Sequence, residues 1–188
     1  MASNLKDVVN KHLEENLEIK LHLGCGPNLL EGYVNVEGDY LAHMEGIAVH
    51  DLTQPFPIPD NTVSEILTVH VIEHIMPHDV PAMLTEWLRI LKPGGFVATE
   101  WPDLLKMCQV IVDNPHYLYS KNGKELKRSV AGIFGNISRY KDPVMLHKWG
   151  YSAESLKRLK LEMGFSRAII EDNLYRKTRN DSRVVAFK

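Results

Sequence analysis

The tightest constraint on this chain is the stretch Leu21-His22-Leu23-Gly24-Cys25-Gly26-Pro27-Asn28. An apolar-alternating run over residues 19–23 has the period of a half-buried strand. It stops at a Gly-x-Gly pair, where the chain turns sharply and carries no Cβ to keep a ligand away from the backbone. Some ten residues on, Tyr33-Val34-Asn35-Val36-Glu37 reads as a second strand ending in a carboxylate. Strand, glycine turn, strand and acid is the layout of a nucleoside-binding α/β unit, in which the acid accepts hydrogen bonds from ribose hydroxyls.

The connection between those two strands is short. A dinucleotide site places its pyrophosphate on the N-terminus of a helix at this point. Only Asn28-Leu29-Leu30-Glu31 is available, enough for one turn, so a ligand without phosphates suits the site better and a nicotinamide-dependent reductase ranks last.

Further strands are expected over residues 46–50, 63–69, 96–101, 166–171 and 182–187, and amphipathic helices over 4–17, 77–91 and 152–163. The three prolines of residues 54–61 mark a loop, and Lys92-Pro93-Gly94-Gly95 a helix stop. Strands alternating with helices give a Rossmann-like, doubly wound α/β fold. Its mostly parallel sheet has seven strands, with a shortened first helix after the glycine turn. The glycine turn, Glu37, Asp51 and His70 all fall at the strands' C-terminal edge, where such sheets bind ligands. At 188 residues the chain reads as a single domain, residues 1–188, with an acceptor-side insert at about 102–150.

Composition narrows the partners. The formal net charge of −2 argues against bulk attraction to nucleic acid. Cys25 and Cys108 make neither a disulfide framework nor a zinc set. The polar first seventeen residues do not resemble a signal peptide, and no apolar run approaches the ~20 residues of a membrane span. A cytoplasmic protein is expected. The insert is locally basic, with eight Lys or Arg against four acids, and interleaves Tyr117, Tyr119, Phe134, Tyr140 and Trp149 with those charges. Such a face is simply solvated, or binds an anionic or sugar-linked small-molecule acceptor, or, as the weaker reading given the overall charge and the short insert, single-stranded nucleic acid.

His70-Val71-Ile72-Glu73-His74 spells the H-x-x-E-H of some zinc proteases. It follows a β-branched strand rather than lying on a helix, and no downstream acidic helix supplies a third ligand, so no metal is expected. His74 reads either as a general base or as a structural histidine bonded to a loop carbonyl. His70 and His147 are the other candidates for catalysis. Cys25 is explained by packing in a tight turn.

Four blocks, LHLGCGPNLLEGYVNVE (21–37), HDLTQPFPIPDNTVSEILTVHVIEHI (50–75), LRILKPGGFVATEWPD (88–103) and HKWGYSAESLKRLKLEMGF (147–165), resemble the class I S-adenosylmethionine-dependent methyltransferases. The closest likeness is to the small type-11 kind. The resemblance implies S-adenosyl-L-methionine as cofactor and S-adenosyl-L-homocysteine as product. It implies that Gly24, Cys25 and Gly26 pass under the methionine part, Glu37 holds the ribose diol, and Asp51 and Leu52 receive the adenine. Val69 and His70 would lie beside the donor methyl, with the acceptor near His70, His74, Asp103 and His147. The function expected is methyl transfer to a small-molecule or glycan-type acceptor. A non-catalytic module of the same fold is the alternative.

Overall fold

A computed structural model describes residues 3–118, 128–135, 145–176 and 178–188. Tyr119, Lys121, Lys124, Glu125, Lys127, Arg139, Tyr140, Lys141 and Asp142 of the insert lie outside the described residues, as does the side chain of Arg128.

The strands are β1 (Ser3–Asn4), β2 (Lys20–Leu23), β3 (Val34–Glu37), β4 (Ile47–Val49), β5 (Val63–Val69), β6 (Leu91–Pro102), β7 (Arg167–Glu171) and β8 (Asp181–Phe187). The helices are α1 (Leu5–Glu14), α2 (Val80–Ile90), α3 (Leu104–Asp113), α4 (Arg128–Phe134) and α5 (Ala153–Glu162). The strands form one sheet of order β1-β4-β3-β2-β5-β6-β8-β7. Pairing is parallel except where β8 runs antiparallel between β6 and β7. The seven expected strands are all present. The eighth, β1, is a two-residue edge pairing with β4 that no periodicity could announce.

The chain runs from β2 outward to β3 and β4, then returns to β5 on the other side of β2. This reversal opens a crevice at the C-terminal ends of β2 and β5, beside the glycine turn. Right-handed crossovers send the β2–β3 and β3–β4 connections to the face opposite the β5–β6 connection. Neither of the first two contains an α-helix. The expected helical turn at residues 28–31 does not form, and only a 3-10 turn at Asp39–Leu41 occupies the second. Buried Asn35 takes the place of a helix: its side chain accepts from the Leu30 N–H and donates to the Leu30 and Tyr33 carbonyls.

Cover is therefore unequal. Leu5 and Val9 of α1, Val80, Met83, Leu84, Trp87 and Ile90 of α2, and Leu156 of α5 join one large core with the strands. The opposite face has a smaller cluster of Leu67, Ala98 and Val185, to which only strand and loop residues are added. The strand order is that of a doubly wound sheet, while α1, α2 and α5 all pack into the core of one face.

Element ends follow local chemistry. Asn4 caps α1 through Lys6 N, and Asn16, at φ 54°, ends the turn beyond it, so α1 stops short of Leu17. Ser152 caps α5 in a reciprocal capping box with Ser155. The expected stop at 92–95 is absorbed into β6 as an irregularity, with Val63 paired to Leu91 and Glu65 to Phe96. The insert is more regular than its sequence suggested, because Asp103 caps α3 through the N–H groups of Leu105 and Lys106.

Candidate functional site

The glycine turn is locked to β3 from both sides. The Val36 carbonyl accepts from the N–H groups of Gly24 and Cys25 at 2.9 and 3.2 Å. Glu37 reaches back, its Oε2 accepting from Gly26 N at 2.7 Å and its Oε1 from Gly38 N at 2.9 Å. A carboxylate has about four lone-pair sites, so two remain for a ligand's hydroxyl donors.

The two glycines have different duties. Gly24 has φ 65°, and a Cβ there would stand 2.3 Å from Val71 Cγ2. Gly26 has φ 55°, but a Cβ there would meet nothing within 4 Å. The first is fixed by packing. The second opens onto the crevice and forms a cradle that a side chain would fill. Between them Cys25 is buried, its thiol directed at the Gly26 carbonyl, and burial together with the Glu37 charge pushes it up to about 12. It is a packed thiol, as its place in the turn predicts.

Asp51 follows β4, whose end is tied to β3 by the bond from His50 N to Glu37 O. Its Oδ1 accepts from both the N–H and the hydroxyl of Thr53, at 2.9 and 2.8 Å, so the carboxylate is exposed but held. Leu52 packs against the large core, and Val69, closing β5, against the smaller one.

His70 comes next, at φ 58°, with its backbone N–H bonded to Glu100 O. Both ring nitrogens face carboxylates: Nε2 is 3.0 Å from Asp181 Oδ2 and Nδ1 is 3.3 Å from Glu73 Oε1. Burial opposes a charge on this ring, but Asp181 and Glu73 outweigh it and raise His70 to about 9. The Glu73 contact is too poorly aligned to be a hydrogen bond, so both buried Glu73 oxygens lack a donor. Burial pushes the Glu73 carboxyl up, but the adjacent histidines, His70 foremost, hold it below its ordinary value.

The fold brings His74 and His147 together across 73 residues of chain, with ring centroids 4.8 Å apart and nearly perpendicular. Each donates through Nδ1 to a backbone carbonyl, His74 to Leu146 at 3.1 Å and His147 to Gly132 at 2.8 Å. Burial lowers His147. Beside them lies a cavity of about 200 Å³, lined by Glu73, Leu104, Gly132, Phe134, His147 and Trp149 among others. Asp103 does not face it as a free acid, since its oxygens accept from Leu105 N, Lys106 N, Ala153 N and Ser182 Oγ. Sequence reasoning weighed Glu73 only within the protease pattern, and it missed Asp181, which no motif marks.

Comparison with known proteins bears on the fold and on one segment of the sequence. Residues 39–99 match the family described as a methyltransferase domain, a segment that begins just after Glu37 and ends in β6. A tRNA N(3)-cytidine methyltransferase of Gallus gallus is 35% identical over 52 residues, which are 26% of this chain and 14% of that protein. An uncharacterized methyltransferase of Schizosaccharomyces pombe is 42% identical over 52 residues, 28% of this chain and 18% of its own length. The shared segments thus span less than a fifth of the curated relatives. Among solved structures, a SAM-dependent methyltransferase from Archaeoglobus fulgidus superposes with a TM-score of 0.59 at 17% identity, covering 97% of this chain and 92% of that one. One from Mesorhizobium loti does so with a TM-score of 0.59 at 15% identity, covering 97% and 96%. At these identities the likeness is one of fold. This chain therefore shares the fold of S-adenosylmethionine-dependent methyltransferases, and its residues 39–99 match a methyltransferase domain.

Proposed function

We propose that this protein transfers a methyl group from S-adenosyl-L-methionine to a small-molecule or glycan-type acceptor. The observation that carries the reading is the Gly26 cradle, open to the crevice and bonded to the Glu37 carboxylate at 2.7 Å. The residues fit the group. Gly24, Cys25 and Gly26 pass under its methionine part, and Glu37 takes the ribose hydroxyls on its two remaining lone pairs. Asp51 and Leu52 receive the adenine, and Val69 and His70 border the methyl. When bound, the sulfonium supplies an activated methyl with its own leaving group. The chain's task is then to orient the acceptor and exclude water. His147 lines the cavity and His74 packs edge-on against its ring, so both are candidates for the acceptor side of the reaction.

The acceptor reading rests on the cavity's small size, about 200 Å³, and on the near-neutral charge of the chain. The tRNA named for the Gallus gallus relative belongs to a protein of which the shared segment is 14%, and it enters here as one arm of the test.

Calorimetric titration of S-adenosylmethionine and S-adenosylhomocysteine into wild type and Glu37→Ala tests the cofactor. The variant is expected to lose about 1–3 kcal/mol of binding, the worth of a charge-assisted hydrogen bond. Absence of binding to folded wild-type protein would falsify the reading. An acceptor screen with labelled donor then compares sugars, nucleotide-sugars and tRNA. Binding without transfer to any of them would favour the non-catalytic module, and transfer to tRNA alone would replace the small acceptor.

A further inference from the structure

Glu73, His74 and His147 form a cluster that the cofactor site does not use. One carboxylate oxygen of Glu73 and one ring nitrogen from each histidine lie within 4.8 Å of one another. The carboxylate is the anomaly. Glu73 is 1% exposed, and neither oxygen has a hydrogen-bond donor. A buried carboxylate with no hydrogen-bond donor is costly, and the His70 contact leaves Oε2 with neither a donor nor an ion-pair partner. His70, misaligned at 3.3 Å from Oε1, touches one side only.

The histidines are prepared for the same role. A backbone carbonyl can only accept, so the Nδ1 atoms facing Leu146 O and Gly132 O carry the protons. In the neutral ring the lone pair then resides on Nε2. A carbonyl on one nitrogen that fixes the tautomer and leaves the other basic is the usual outer-shell support of a metal-bound histidine. The third ligand that the H-x-x-E-H pattern lacks comes from the C-terminal end of the insert. The Gly135–Leu146 bridge delivers it, together with the bond from His147 N to Phe134 O. Backbone bonds from Lys148 N and Trp149 N to Glu73 O fix the same strand of chain to the Glu73 turn.

We propose that Glu73, His74 and His147 bind a divalent transition-metal ion of the Zn²⁺ type, with open coordination positions toward the cavity lined by Leu104, Phe134 and Trp149. Two imidazoles and one carboxylate are a donor set that holds zinc in open sites. The same set disfavours Mg²⁺, which takes oxygen ligands and keeps its waters. Bonds of about 2.0–2.2 Å require the three ligand atoms to close in by roughly 1 Å from their present spacing. Given the methyltransferase reading above, on which only this last role rests, the ion's open positions hold an acceptor oxygen beside the donor methyl.

Chelator-treated protein is titrated calorimetrically with ZnCl₂, and with MgCl₂ as the contrast, for wild type, Glu73→Gln, His74→Ala, His147→Ala and the exposed-histidine control His43→Ala. Wild type and His43→Ala are expected to bind one Zn²⁺ per chain at least 100-fold more tightly than Mg²⁺. Each ligand variant is expected to weaken Zn²⁺ at least tenfold. Circular dichroism of the metal-free variants identifies any that fail to fold, and the remaining ligand variants then decide. Wild-type affinity in folded His74→Ala or His147→Ala, or absence of stoichiometric Zn²⁺ in wild type, would overturn the site. S-adenosylmethionine binding is measured on the metal-free protein in parallel. Cofactor binding without zinc defeats this inference alone, whereas zinc without cofactor defeats the methyltransferase reading and leaves the metal site standing.

Discussion

Gly24 and Gly26 sit two residues apart at similar φ, and substitution separates their roles. In Gly24→Ala the new methyl collides with Val71 in a left-handed backbone, so strain and overpacking add to about 2–4 kcal/mol of lost stability. In Gly26→Ala the conformational penalty alone remains, about 1–2 kcal/mol, because the methyl enters open space. Urea denaturation should rank Gly24→Ala well below Gly26→Ala. Calorimetry should show the Gly26 variant, still folded, with cofactor affinity reduced at least tenfold. Equal stability losses would mean that the Val71 side chain yields to the new methyl without cost.

At the scale of the element, α5 carries its own pH sensor into the core. Lys160 is fully buried, and its Nζ donates to Thr99 Oγ1 at 2.7 Å. Loss of hydration, with Arg183 nearby, draws it down to about 7. Unfolded, it titrates near the ordinary value of about 10.4. Between these values the unfolded chain holds one proton more than the folded chain, so this group makes stability rise with pH, by about 1.4 kcal/mol per unit. Lys160→Met should therefore stabilise the protein most at pH 7 and below, and flatten the stability-pH curve between pH 7 and 10. Denaturation midpoints across that range check the sign. Within the insert, Gly135 is held at φ 86°, and a Cβ there would collide with Met145 O. Gly135→Ala should part α4 from residues 145–147 and displace His147. The expected result is weaker Zn²⁺ binding with cofactor affinity unchanged.

Across the whole molecule, Glu100 joins parts of the chain that are distant in sequence. Fully buried in β6, it accepts from the N–H groups of Leu174, Tyr175 and Arg176, and from the Arg183 guanidinium of β8 at 2.9 Å. Its backbone carbonyl holds His70. Glu100→Ala leaves three amides without their acceptor and the buried Arg183 guanidinium with only the more exposed Glu171 at 3.3 Å, and breaking such a pair costs about 3–5 kcal/mol. Guanidinium denaturation should show that loss. A fall of under 1 kcal/mol would mean that water replaces the carboxylate. No helix among the described residues is long and apolar enough to cross a membrane.

The sequence by itself determined the strands from β2 to β8 and the turn that opens the crevice. It also placed the line of Glu37, Asp51, Val69 and His70 along one edge. These follow from side-chain period and glycine freedom, which act over a few residues and so are written locally. Only the tertiary structure decided how His147 meets His74, why Asp103 is a cap and not a free acid, and that Asp181 faces His70. It alone showed Glu73 buried without a hydrogen-bond donor. Those outcomes depend on which distant segments share one low-dielectric site, where an unpaired polar group is costly and a partner must be found. No local pattern encodes that partner.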